Sequence, residues 1–221
     1  MTLDDESLVK QREAMVSEQL RARGIQDSQV LEAMQRVPRH RFMSQELESV
    51  AYADSPQSIG YRQTVSQPYV VALMTEQVRD SSTSRALDVG TGSGYQAAIL
   101  AEICAEVYSV EIVEELAERA RLRLREMGYQ NIQIRHGDGY RGWAEFAPYN
   151  VITVAAAPDH VPDALIEQLA VGGRLVIPLG RQSQQLLIFE KLPSGTVRQE
   201  TLGPVAFVPM TGEGKVTGKQ N

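Results

Sequence analysis

The 221-residue chain has one cysteine, Cys104, and only three histidines, His40, His136 and His160. A lone cysteine excludes an internal disulfide, and its setting in Ile103-Cys104-Ala105 reads as a small buried apolar residue rather than a nucleophile. The histidines share no ligand spacing, so no metal site is expected. No apolar run approaches the length of a membrane span. Residues 2–11 are polar and acidic, without the apolar segment of a secretion signal. Positive charge is also short: 22 Lys and Arg stand against 28 Asp and Glu, a net charge of -6. A binder of nucleic-acid backbone needs a basic face, so that class is disfavoured. The one basic cluster, Arg119, Arg121, Arg123 and Arg125, alternates with Leu122 and Leu124 and reads as the solvated face of an amphipathic helix. There is no internal repeat. These absences point to a soluble, reducing, cytoplasmic protein with one sizeable core and no membrane or nucleic-acid partner, expected as a monomer.

The most informative stretch present is Ala86-Leu87-Asp88-Val89-Gly90-Thr91-Gly92-Ser93-Gly94-Tyr95. A short apolar run breaks into three alternate glycines, and an apolar-periodic segment follows over residues 96–103. That pattern predicts strand, tight turn and helix. Glycine lets the backbone turn sharply and lets a ligand approach where a Cβ would clash. The first amides of the next helix then favour the ligand's polar or anionic part. Two cofactor frames fit. Gly90-x-Gly92-x-Gly94 after an acidic residue suits S-adenosylmethionine (SAM), whereas Gly92-x-Gly94-x-x-Ala97 satisfies a dinucleotide fingerprint. Glu111, at the end of a strand over residues 106–110, can accept hydrogen bonds from ribose hydroxyls in either case. Asp138 and Gly139, in His136-Gly137-Asp138-Gly139 after a strand over 131–135, fall at the sheet edge where open α/β folds bind ligands. A plain Asp-Gly turn would give the same sequence.

Around this unit the pattern predicts helices over residues 5–23 and 27–37, a short one over 45–51, and an unstructured polar loop over 52–66. Loops of that length in compact domains are usually functional. A helix follows from Pro68, with Ser66 placed as its N-cap or as a donor to a carboxylate at the helix mouth. A helix over 113–127 precedes the third strand. Strands are expected over 149–154 and 174–178, the latter after a helix at 162–168 closed by Gly172-Gly173. Two more, over 185–191 and 204–208, would be joined by a turn at Pro193-Ser194-Gly195. His40 reads as a surface or junction residue, and the chain from Thr211 as a frayed polar tail.

In this order the sequence resembles the protein-L-isoaspartate O-methyltransferase family of class I SAM-dependent methyltransferases. The likeness runs from the first helix to Thr211. Its most specific block is Asp54-Ser55-Pro56-Gln57-Ser58-Ile59-Gly60 running into Gln63-Thr64-Val65-Ser66-Gln67-Pro68. The glycine turn, the segments 136–139 and 147–149, and residues 168–178 carry the rest. The resemblance favours SAM over NAD. It implies an α/β, Rossmann-like fold: a mostly parallel seven-stranded sheet with helices on both faces and an N-terminal helical cap. One domain over 1–211 would comprise a cap at 1–51, a substrate loop at 52–67 and a core at 68–211, before a tail at 212–221.

The resemblance also implies methyl transfer to the free α-carboxylate of L-isoaspartyl residues in damaged proteins and peptides, with S-adenosylhomocysteine (SAH) as by-product. The family's catalytic serine falls on Ser66, and its companion at the glycine loop on Asp88. SAM binding falls on Gly90, Thr91, Gly92, Gly94, Glu111, Asp138 and Gly139. Acceptor binding falls on Gln63, Thr64, Val65 and Thr211. Two departures stand out. Arg62 occupies a place where many bacterial members carry glycine, and Asn150 one where aspartate is common. An NAD(P)-dependent oxidoreductase, an aspartyl methyltransferase for a dedicated peptide and a SAM-binding module without activity are the alternatives.

Overall fold

The computed structural model describes residues 5–79 and 85–213. The chain opens with α1 (Asp5–Ala14), whose last turns widen into a π-helix at Met15–Leu20 and tighten into a 3-10 turn at Arg21–Arg23. Gly24, at φ 100°, stops it in the left-handed conformation that glycine adopts without a steric penalty. Helix α2 (Ser28–Arg36) is capped by Asp27, which accepts from the Gln29 and Val30 amides at 2.9 and 3.0 Å. It ends at Val37, extended as a residue before proline must be. The expected short helix is a 3-10 helix over Gln45–Val50.

The expected unstructured loop contains a hairpin instead. Strand β1 (Gln57–Gly60) pairs antiparallel with β2 (Gln63–Val65) around a two-residue tip, Tyr61-Arg62. Helix α3 (Pro68–Val78) follows, then β3 (Arg85–Val89), α4 (Tyr95–Ala101), β4 (Glu106–Glu111), α5 (Glu114–Glu126), β5 (Ile132–His136), β6 (Tyr149–Val154), α6 (Asp163–Glu167), β7 (Leu169–Leu179), β8 (Gln184–Lys191) and β9 (Val197–Val205). The seven-stranded sheet has the order β5-β4-β3-β6-β7-β8-β9. Its first five strands are parallel, and β8 and β9 return as an antiparallel meander.

Two sequence expectations are corrected here. Gly172-Gly173 does not close a helix before a short strand; both lie inside β7, at the register shift that opposes Tyr149–Val151. The last strand begins at Val197, just past the turn, and ends at Val205 rather than spanning 204–208.

Side chains alternate across a strand, so each parallel strand feeds two cores. Ala86, Val107, Val151 and Val176 face the layer built from α1 to α5 and the cap. Leu87, Tyr108, Ile152 and Leu175 face a second cluster with Tyr140, Trp143 and Leu165. Burial on both faces explains why β3 reads as an almost unbroken apolar run. Asp88, fully buried inside it, is the exception. The cap is tied to the core by Arg39, which is fully buried. Its Nε donates to the Ala51 carbonyl at 2.9 Å, and its guanidinium lies 4.9 Å from the Tyr95 ring centroid at the start of α4. Among the described residues, no helix is long and apolar enough to cross a membrane.

Candidate active site

The strand order changes direction between β3 and β6, and a cleft opens at their carboxyl ends, where open α/β sheets hold ligands. It has about 780 Å³ of space, its open side included. Its floor is the turn after β3. Gly90, Gly92 and Gly94 sit at φ 91°, 53° and 92°, so the turn needs three left-handed residues in five. Gly94 has a second constraint, because a Cβ there would lie 3.1 Å from Leu124 Cδ1 on α5. It packs the turn against that helix and does not line the cleft. Gly90, Thr91 and Gly92 do.

Beneath the turn lies a buried hydroxyl network. Ser109 Oγ donates to Asp88 Oδ2 at 2.8 Å and lies 2.5 Å from Thr91 Oγ1, while Thr153 Oγ1 donates to Asp88 Oδ1 at 3.0 Å. Burial raises the Asp88 carboxyl to about 6, opposed by those two hydroxyls. Asp88 was expected at the glycine loop as the companion of the catalytic serine, fixing its hydroxyl or the loop. It is not among the residues that line the cleft, and its side chain accepts from Ser109 and Thr153. A carboxylate at this depth is linked to the cleft wall through Ser109 and Thr91.

Glu111, at the end of β4, is buried and lines the cleft. Its Oε2 accepts the Gly92 amide at 2.7 Å and its Oε1 the Val113 amide at 2.9 Å. Gly139 forms part of the opposite wall, where a Cβ would fall 2.6 Å from Val89 Cγ1 and 2.9 Å from Met210 Cε. Asp138 turns away. Its Oδ1 accepts the Tyr140 amide at 2.9 Å and its Oδ2 the Glu213 amide at 2.8 Å. The tail therefore starts as a held segment rather than a frayed one; residues 214–221 of the expected tail lie outside the described residues.

Gln63, Thr64, Val65 and Ser66 make the wall contributed by the hairpin. Thr64 and Ser66 also border a neighbouring groove along Pro56, Gln67, Val70 and residues 204–208. Ser66 is not the N-cap of α3. Gln67 takes that position without a side-chain bond, and Asp54 does the capping from a distance, accepting from the Tyr69 amide at 3.2 Å and from Gln67 Nε2 at 2.7 Å. Thr211 lies at the rim. The chain reaches it by crossing back over the sheet end, where Ala157 and Pro209 form a parallel bridge. The Ala157 amide donates to Val208 O and the Met210 amide to Ala157 O, each at 2.8 Å.

Several lining residues escaped the sequence reading: Tyr95 and Gln96 at the start of α4, Ile112, Ala155-Ala156 after β6, and Val208 to Met210. Ala155-Ala156 follow a parallel strand directly, which is the signal that could have found them. The histidines stay out of the cleft. His40 Nδ1 meets the Tyr52 hydroxyl at 2.8 Å, His136 Nε2 meets Ile112 O at 3.2 Å, and His160 pairs with Asp159. Among the described residues no group of His, Cys, Asp and Glu could hold a metal ion. Cys104 is buried, and burial pushes its thiol up to about 12, so it is not a nucleophile. The site thus offers a glycine turn, a carboxylate at a strand end and a hydroxyl on a hairpin wall, with no histidine among the residues that line it.

A family model described as Protein-L-isoaspartate(D-aspartate) O-methyltransferase matches residues 10–215. The protein-L-isoaspartate O-methyltransferase of Picosynechococcus sp. is 54% identical over 201 residues, 91% of this chain and 90% of the relative. A solved structure of a protein-L-isoaspartate O-methyltransferase superposes with a TM-score of 0.82 at 29% identity, covering 91% of this chain and 66% of that one. A Plasmodium falciparum structure, described as a protein of the same kind in complex with SAH, gives a TM-score of 0.79 at 26% identity, over 90% of this chain and 98% of that one.

Proposed function

This chain belongs to the protein-L-isoaspartate(D-aspartate) O-methyltransferase family, and from that membership we infer that it is a SAM-dependent repair enzyme. It methylates the free α-carboxylate of L-isoaspartyl residues in proteins and peptides. The observation that carries this reading is the convergence of Ser66, the glycine turn, Glu111 and Gly139 on one cleft at the carboxyl edge of the sheet.

The residues present suit SAM. Glycine at 90 and 92 leaves the turn's backbone open to a ligand, and Gly139 keeps the facing wall flat where a Cβ would collide with Val89. The Glu111 carboxylate stands where ribose hydroxyls would be accepted. Gly90, Thr91, Gly92, Glu111 and Gly139 are the residues we assign to holding SAM; Gly94 supports the turn from behind, and Asp138 fixes the Gly139 segment. When bound, SAM supplies a methyl group made electrophilic by a sulfonium charge.

The acceptor carboxylate has an ordinary pKa near 4 and is already ionised at neutral pH, so no proton need be removed. The exclusion of all three histidines from the cleft suits that chemistry. Ser66 orients the acceptor, with Gln63, Thr64, Val65 and Thr211 along its path. Positioning of this kind accounts for several kcal/mol of barrier. Asp88 is a positioning residue acting through Ser109 and Thr91. After transfer, the next backbone nitrogen attacks the ester and expels methanol, giving a succinimide that hydrolyses partly to aspartate.

We assign the division into a cap at 1–51, an acceptor segment at 52–67 and a core at 68–211 on the same grounds. The net charge of -6 supports the absence of a nucleic-acid partner, and we also propose a monomer at work in the cytoplasm without membrane partners. Its exposed large apolar side chains also fall on separate elements, Val9 on α1, Leu122 on α5 and Val171 in β7 among them. The test is methyl-ester or methanol release from an isoaspartyl peptide against its aspartyl twin. Equal labelling of both, or of neither, overturns the assignment. Thermal shift with SAM, SAH and NAD checks the cofactor, and stabilisation by NAD alone would favour the oxidoreductase.

A further inference from the structure

We propose that Tyr61 and Arg119 form a latch that sets the position of the β1–β2 hairpin over the glycine turn, making both positioning residues for the acceptor wall; this rests on the methyltransferase reading above. The hairpin tip is unusual. Tyr61 and Arg62 sit at φ 52° and 58°, the two consecutive left-handed residues that a tight two-residue hairpin turn demands, yet neither is glycine or asparagine. Tyr61 is also a large aromatic that is 44% exposed. What it gains in that place is α5. The Arg119 guanidinium lies 5.3 Å from the Tyr61 ring centroid, and among the described residues Arg119 makes no ion pair that would compete for it.

The same face of α5 holds the glycine turn. One helical turn beyond Arg119, Arg123 Nη1 donates to the Ser93 carbonyl at 2.9 Å, and Leu124 packs against Gly94. Between these two anchors the hairpin rests directly on the turn: a Cβ at Gly92 would lie 3.3 Å from Ile59 Cδ1. The ladder then carries the position of the tip inward. Gly60 is opposite Gln63, Ser58 opposite Thr64 and Gln57 opposite Val65, so moving the tip moves the wall that ends in Ser66. Arg119 and Arg123, which read from sequence as a solvated basic face, are thus the pair that holds both sides of the cleft to one helix.

The test uses two readouts on the full chain. Trypsin cleavage after Arg62, followed by fragment mass, reports opening of the tip without any need for activity. Tyr61→Ala and Arg119→Ala should each speed that cleavage by about two- to fivefold, the weight of an exposed cation–π contact. Each should raise KM for an isoaspartyl peptide by a similar factor while leaving the Kd for SAH unchanged. Tyr61→Phe and Arg119→Lys keep a ring and a cation and should restore both values. The double variant should be no worse than either single one. Cleavage rates equal to wild type, or single effects that add in the double variant, overturn the latch. Faster cleavage in a chain that methylates no isoaspartyl peptide upholds the latch and removes the functional reading instead.

Discussion

The Glu111 carboxylate accepts the Gly92 amide at 2.7 Å, so the end of β4 and the glycine turn are joined by a charge-assisted hydrogen bond. The same carboxylate is the group assigned to the ribose of SAM. Hydrogen bonds to charged groups contribute about 1.5–3 kcal/mol. Glu111→Ala should therefore weaken SAH binding by about tenfold to a hundredfold in calorimetry. An unchanged Kd would remove Glu111 from the cofactor site.

Ser66 stands on the wall shared by the cleft and the adjoining groove. If it orients the acceptor, Ser66→Ala should lower kcat by one to two orders of magnitude, about 1.4–2.7 kcal/mol. SAH affinity should stay the same. Because Asp54 rather than Ser66 caps α3, thermal stability should also be nearly unaffected. A variant with normal turnover would exclude the hydroxyl from the reaction.

Asp88 predicts a pH dependence of stability. Burial raises its carboxyl from 3.8 to about 6 in the folded protein. The native state then binds this proton more tightly than the unfolded chain does. The resulting stabilisation is full below about pH 4 and is lost as pH rises through about 6. Relative to Asp88→Asn, the wild-type unfolding free energy should fall by up to about 3 kcal/mol between about pH 4 and pH 7. Urea denaturation of both proteins at each pH reads the difference directly, and a pH-independent gap would contradict it.

Gly139 is demanded by space. A Cβ would meet Val89 Cγ1 at 2.6 Å, and Val89 is buried at the end of the inner strand β3. Gly139→Ala should cost about 1–3 kcal/mol through overpacking, with a lower Tm. SAH affinity should drop with it, since the displaced atoms line the cleft. A neutral substitution would show that this wall can move.

The parallel core was legible because its strands are buried on both faces and read as short apolar runs ending in polar or glycine residues. Val89-Gly90 and Val110-Glu111 mark the carboxyl edge in that way, which is why Gly90 to Gly92 and Glu111 could be placed before any coordinates. The hairpin was not legible. Its strands are three and four residues long, with exposed polar positions, and its tip lacks the Asn-Gly signature of a tight turn. Strand β9 was misplaced because its first five residues are exposed, leaving only its last part with an apolar pattern. Asp88 and Asp138 show a different limit. Spacing put both at the sheet end, but the direction of a side chain depends on partners far along the chain: Ser109 and Thr153 for one, the Glu213 amide for the other. The cap of α3 was misread for the same reason, since Asp54 reaches it from 15 residues away.

The bridge between Ala157 and Pro209 gives the site a timetable. Its walls come from residues as early as Gln63 and as late as Thr211, and the last wall is held by backbone bonds to the loop after β6, by Gln184 on Phe207 and by Asp138 on the Glu213 amide. A nascent chain still on the ribosome at β8 can have its parallel strands, its glycine turn and Glu111, yet it has no complete cleft. The cleft is therefore complete only when the chain through Thr211 has crossed back over the sheet end, so the turn and Glu111 alone do not make the site.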